Sequence, residues 1–110
     1  MTYGYISAPF RAETVEEIGK NVAQAEIWAM EIAKSEGIHP ILVHTLIKRI
    51  WGLDPKNNSG IGDAEITDFN LKLLKACDAV YVCGPRTTSG MVKEIEFAKE
   101  HGIKVWYHYT

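Results

Sequence analysis

The segment Ser89-Gly90-Met91-Val92-Lys93-Glu94 runs from loop chemistry into the start of a helix. Free N–H groups at such a start, together with the positive end of the helix dipole, favour an anion there. Met91, Ile95 and Ala98 set the apolar stripe of this helix, which puts Glu94 about 60° to one side and Glu96 on the far side. Glu94 can then face a crevice, and Glu96 cannot. A carboxylate close to a helix N-terminus stays ionised at neutral pH, which suits attack on a sugar carbon or acceptance of a bond from a ribose hydroxyl. A solvated glutamate on a helix flank has the same signature.

Two arginines, Arg11 and Arg86, stand in loops that follow short β-prone segments. A guanidinium fork matches phosphate oxygens in pairs, so their convergence would favour a phosphorylated ligand over a bare nucleoside. Either also reads as a surface arginine, and Arg86 taken alone reads so first. Tyr5, Phe10 and Tyr81 can stack on a base, although strand tyrosines more often belong to a core. His44 follows an apolar run and suits a polar contact at a strand end, or a purely structural place.

These residues need a frame. Tyr3 to Ser7 is β-prone and is broken by Ala8-Pro9-Phe10-Arg11. Thr14 and Glu17 form a capping box, and Ile18, Val22, Ala25, Ala29 and Ile32 follow at helical spacing until Gly37. Pro40 to Val43 reads as a buried parallel strand with His44-Thr45 at its carboxyl end, followed by a short helix to Trp51. Gly52 to Gly62 has turn chemistry without periodicity and reads as a mobile flap. Asp63 caps a helix carrying Ile66, Phe69, Leu73 and Leu74, and Ala79 to Cys83 is the clearest strand. A loop from Gly84 to Gly90, a helix from Met91 to His101 and a strand from Ile103 to Tyr109 complete the chain.

Strands alternating with amphipathic helices imply right-handed crossovers and a parallel sheet covered on both faces. Ligands of such sheets bind beyond the carboxyl ends of the strands where the chain order reverses. That rule gathers Ser7 to Arg11, including Pro9, with His44-Thr45 and the stretch from Gly84 to Glu94, including Met91.

Composition narrows the partners. The chain has 110 residues, a net charge of −2 and no basic block, which argues against a nucleic-acid partner. Its apolar runs are too short to span a membrane, and its start lacks a signal-peptide pattern, so a cytoplasmic place is expected. One domain over residues 1–110 suits this size, with roughly two-thirds of the unfolded surface buried. Cys77 and Cys83 read as reduced, buried thiols, and neither a metal site nor a cofactor is expected. In the first helix Ala23, Ile27 and Met30 lie opposite the core stripe, which suggests a homo-oligomer, a dimer or tetramer, formed through that helix.

Tyr5 to Phe10, Asn21, Cys77 to Val82 and Ser89 to Ala98 together resemble the nucleoside 2-deoxyribosyltransferase-like superfamily, and within it a short, phage-rich branch. The resemblance implies a flavodoxin-like three-layer sandwich with a four- to five-stranded parallel sheet. It also implies that Glu94 matches the nucleophile of the transferases and that Ser89 and Gly90 match a phosphate-holding pair in related nucleotide hydrolases. The family's base-handling aspartate falls on Asn70, an amide that can hydrogen-bond a base but cannot protonate it, with Asp68 as a nearby substitute.

The branch is also similar to Thoeris anti-defence proteins, which sequester cyclic ADP-ribose-type signals. The expectation is therefore a protein of the cytosol, a host's if phage-encoded, that binds and sequesters a nucleotide-derived molecule. Arg11, Arg86 and the amides near Ser89-Gly90 would take phosphates, Phe10 or Tyr5 would stack the base, and Glu94 would accept ribose hydroxyls. The rival is a transferase or N-glycosidase in which Glu94 attacks the anomeric carbon, Tyr5 or Ser7 orients it, and Asn70 or Asp68 grips the leaving base.

Overall fold

The computed structural model describes residues 2–51 and 63–108. The expected flap from Gly52 to Gly62 lies outside the described residues. Eight elements follow in chain order: β1 (Tyr3–Ser7), α1 (Val15–Glu36), β2 (His39–Ile41), α2 (Val43–Trp51), α3 (Asp63–Lys75), β3 (Ala79–Cys83), α4 (Ser89–Glu100) and β4 (Lys104–His108). The four strands form one parallel sheet in the order β2-β1-β3-β4.

Burial explains the order. Every residue of β3 is buried, as are the last four of β1, so these apolar strands occupy the centre. The edge strands are more exposed. Proline has no N–H for a ladder, and Pro40 sits in the three-residue edge strand β2, where that loss is tolerated.

The run Pro40 to Val43, expected to be one buried strand, divides. The strand ends at Ile41, and Val43 opens α2, where it and Ile47 one turn later are buried. An apolar run of four residues does not distinguish strand from helix, and the packing of Val43 and Ile47 settles the matter. His44 thereby sits in the first turn of a helix instead of at a strand end.

Helix boundaries follow local chemistry. Thr14 caps α1 by accepting from the Glu17 amide at 3.2 Å, and Gly37 ends it in the left-handed region at φ 65°. The expected stripe of Ile18, Val22, Ala25, Ala29 and Ile32 is buried, with Trp28 beside it. Helix α4 starts two residues before Met91, because Thr88 serves as its cap and accepts from the Met91 amide at 3.3 Å.

Alternation along the strands divides the core in two. On one face Ile6, Ala79, Tyr81 and Cys83 pack against α1. On the other, Tyr5, Val80 and Val82 pack against α2, α3 and α4 through Val43, Ile66, Leu74, Met91 and Ile95. The chain leaves β1 toward one side of the sheet and β3 toward the other, so the switch point falls between them.

A side chain at Gly4 would disturb this sheet. An added Cβ would lie 2.4 Å from Ile38 Cδ1 and 2.8 Å from the Tyr81 ring. Gly4→Ala should lower the unfolding free energy by about 1–3 kcal/mol in urea titrations. An unchanged midpoint would show that Ile38 and Tyr81 move aside freely.

Candidate active site

Glu94 lies in the second turn of α4 and is buried, with 9% of its surface exposed. Both carboxylate oxygens are held from β1. The Tyr5 hydroxyl donates a short hydrogen bond to Oε2, and the Ser7 hydroxyl donates to Oε1 at 2.7 Å. Residues 5 and 7 of a strand point to the same face, so the period of two in β1 delivers both donors to one carboxylate on α4.

The sequence reading has the helix terminus favour the ionised form of Glu94, and the structure corrects both the direction of the shift and its cause. Burial dominates and raises its pKa above the ordinary carboxylate value, while the bonds from Tyr5 and Ser7 draw it part of the way back. Tyr5 is pushed well above its usual value by burial first and then by the charge of Glu94, so it keeps its proton and donates.

A cavity of about 220 Å³ opens beside this carboxylate. Its lining draws on the segment after β1 (Ala8, Phe10, Arg11), on α2 (Val43, His44, Ile47), on α3 (Ile66, Thr67, Asn70) and on the start of α4 (Thr88 to Met91, Lys93, Glu94). The volume lies below the ~300 Å³ at which drug-sized pockets begin, and therefore suits a compact ligand.

Side chains from α1 and α2 tie down the segment after β1. His44 is 3% exposed, and its Nε2 lies 2.9 Å from the Ala8 carbonyl and 3.2 Å from the Pro9 carbonyl. Only an N–H can approach two carbonyls in this way, so Nε2 carries the proton and Nδ1 is a bare acceptor, buried without a partner. Burial lowers the pKa of His44 despite those two bonds, which keeps the ring neutral. Asn21 on α1 donates to the next carbonyl, that of Phe10, at 3.0 Å. The Phe10 ring meets the His44 ring edge-on, and the Arg11 guanidinium lies 5.9 Å from the Phe10 centroid. Three consecutive carbonyls are thus fixed, and Phe10 and Arg11 are held at the cavity.

Among the residues expected at the site, Phe10, Arg11, His44, Asn70, Ser89, Gly90, Met91 and Glu94 line the cavity. Tyr5 and Ser7 lie behind Glu94, and Pro9 contributes its carbonyl to His44. Three residues are placed elsewhere. Gly84 has φ 99° and faces Trp28 under α1, where an added Cβ would lie 3.0 Å from that ring. Arg86 is exposed and does not line the cavity. Asp68 is turned outward and pairs with Lys72 at 2.9 Å, because two residues along a helix from Asn70 is a rotation of about 200°. Thr67, one turn before Asn70, and Lys93, adjacent to Glu94, line the cavity without having been singled out. Helical spacing from Asn70 would have found the first.

Cys77 and Cys83 are free and buried, with burial pushing their thiols up to about 11 and about 12. They take no part in the cavity. No group of metal-ligating side chains occurs among the described residues.

A parallel sheet in this order, flanked by helices and with its cavity at the switch point, defines a flavodoxin-like α/β domain. The chain belongs to the family described as a domain of unknown function, DUF7768, which matches residues 3–108. No curated protein matches it. Among solved structures it is similar to a 2-deoxyribosyltransferase from the psychrotolerant bacterium Bacillus psychrosaccharolyticus, with a TM-score of 0.64 and 18% identity over 98% of this chain and 72% of that one. At that identity the likeness is one of fold.

Two outcomes follow from the geometry. A carboxyl with a higher pKa folded than unfolded binds its proton more tightly in the native state, so its ionisation becomes a cost as pH rises out of the ordinary carboxylate range. Glu94→Gln should therefore gain stability relative to the parent as pH is raised from 4 to 7 in matched denaturation curves. A constant difference would show that Glu94 has an ordinary carboxylate pKa. His44→Ala leaves the Ala8 and Pro9 carbonyls without their donor, at a cost of about 1–3 kcal/mol. Amide exchange in residues 8–11 should accelerate in that variant more than exchange in β3.

Proposed function

We propose that this domain binds a nucleoside or nucleotide in the cavity beyond β1 and β3 and that Glu94 is the nucleophile in N-glycosidic transfer or hydrolysis. The observation that carries the reading is the buried Glu94 carboxylate, held at both oxygens by Tyr5 and Ser7 beside the cavity. In the first step one carboxylate oxygen forms a bond to the anomeric carbon, the bond from that carbon to the base nitrogen breaks, and the electron pair leaves with the base. A second base or water then attacks the same carbon and returns the electron pair to Glu94. Tyr5 and Ser7 orient the carboxylate and disperse its charge, which draws its pKa back toward the ordinary range against the effect of burial.

The rim supports a phosphate on the ligand. Lys93 and Arg11 bring positive charge, and the start of α4 brings the amides of Ser89 and Gly90. Phe10 offers an aromatic ring where a base can stack. The fold likeness to a 2-deoxyribosyltransferase agrees with this assignment.

One observation favours a second reading, sequestration of an immune-signalling nucleotide of the cyclic ADP-ribose type by an anti-defence protein. Asn70 lines the cavity where the resemblance would have a base-handling aspartate, and an amide can hold a base without protonating it. In either reading assembly proceeds through α1, where Ile27 and Met30 are 51% and 60% exposed. The described helices include none long and apolar enough to cross a membrane.

Glu94→Gln separates the two readings. Base release from a panel of nucleosides and nucleotides should fall on the order of 10³-fold or more if Glu94 is the nucleophile. Recovery of intact ligand after heating the loaded parent protein, with binding retained in the variant, would instead establish sequestration.

A further inference from the structure

We infer that the outer edge of β4 is the surface on which a second copy of this chain docks, with its own β4 laid antiparallel against the first so that the two sheets become one. The inference concerns a face that takes no part in the Glu94 cavity and holds whatever Glu94 does. It names the strand that joins α1 in the assembly proposed above.

An edge strand presents main-chain groups to which another strand can pair, and chains that stay apart blunt such edges with proline, charge or short length. The two edges of this sheet differ in that respect. Strand β2 has three residues and carries Pro40. Strand β4 has five, and its middle, Val105-Trp106-Tyr107, holds neither a proline nor a charge. Among the described residues β4 pairs with β3 alone. Trp106 and Tyr107 are 52% and 49% exposed. Trp106 stands in register with Tyr81 on the α1 side of the sheet, so Tyr107 falls on the other side, where Val105 joins the core. Large rings half in water on both faces of one edge are covered together when a further strand is added beside them.

The backbone sets the register. The Gly84 amide donates to the His108 carbonyl at 3.2 Å, so His108 turns its main-chain groups toward β3. Alternation along the strand turns those of Lys104 and Trp106 the same way and those of Val105 and Tyr107 outward. A two-fold axis through Trp106 sets Val105 of one copy opposite Tyr107 of the other. Both residues then have outward groups, and they exchange N–H and C=O bonds as the hydrogen-bonded pair of an antiparallel ladder requires.

The side chains on the α1 side are self-complementary in this register. Trp106 meets Trp106 of the second copy at a non-hydrogen-bonded position, where facing side chains approach most closely. Lys104 of the second copy comes opposite His108, whose Nε2 lies 3.6 Å from Glu31 Oε1 on α1. Lys104 is exposed and Glu31 half exposed, so each copy brings an ammonium to the other's carboxylate. Moving the axis to Val105 or Tyr107 would lose that pairing. Ile27, one turn before Glu31 on the same side of α1 and 51% exposed, extends the surface beyond the strand. A short ladder needs that extension, since stable interfaces bury roughly 1,200 Å² or more.

Sedimentation equilibrium of the intact protein across a concentration series tests the arrangement. The parent is expected at twice the single-chain mass or a multiple of it. Trp106→Lys sets two ammonium groups opposite each other at an exposed position and should raise the dissociation constant on the order of tenfold or more, with melting curves confirming the fold. Lys104→Glu and Glu31→Lys should each weaken association, and the two combined in one chain should restore it, because the exchanged charges meet only across the interface. A single-chain mass throughout the series would overturn the inference. So would association that Trp106→Lys leaves unchanged, or a double variant that associates no better than either single one. Dissociation by Ile27→Lys with Trp106→Lys still associated would also overturn it while leaving assembly through α1 in place.

Discussion

The bond set joining Tyr5 and Ser7 on β1 to Glu94 on α4 is the constraint around which the site is organised. An ionised carboxylate buried at this depth is unfavourable unless donors replace the water it has lost. Two hydroxyls from one strand do so, and in doing so they fix α4 relative to the sheet. The neighbouring contacts of Val80, Met91 and Ile95 are apolar and adaptable, whereas the Glu94 contacts are directional. A small shift of α4 along β1 would preserve the apolar packing and break both hydrogen bonds.

The cavity depends on a second directional set. Without a fixed conformation after β1, Phe10 and its neighbours would be free to fill the space beside Glu94. His44 and Asn21 hold three successive carbonyls from helices on opposite faces of the sheet. The opening is thus maintained by bonds to backbone, which do not depend on the identity of Phe10 or Arg11 themselves. This arrangement places those two side chains at the cavity while the segment that carries them stays in place.

Much of this was legible in the sequence, for reasons that can be named. The stripe Met91, Ile95 and Ala98 fixed the rotation of α4, and with it the inward side of Glu94 and the outward side of Glu96, because a helix of regular pitch converts spacing into direction. Thr14 and Gly37 bounded α1 because caps act locally. The division of Pro40 to Val43 between strand and helix was not legible, since hydrophobicity over four residues has no period. The work of His44 was also hidden, because its partners are main-chain carbonyls 36 and 35 residues away that have no side-chain signature. The direction of Glu94's pKa shift and its cause were not legible, because burial depth is a tertiary property, while a helix terminus is visible in the sequence.

The energetics bear on whether Glu94 is structural or functional. If it served only to join α4 to β1, a glutamine would bond to Tyr5 and Ser7 without the desolvation that raises the carboxyl's pKa. A leucine or methionine would fill the space with apolar contacts. The carboxylate is the costlier choice for stability alone, and it stands where the core gives way to an open cavity. A carboxyl kept at that cost beside an open cavity supports the nucleophilic role proposed for Glu94, since an attacking oxygen must be reachable.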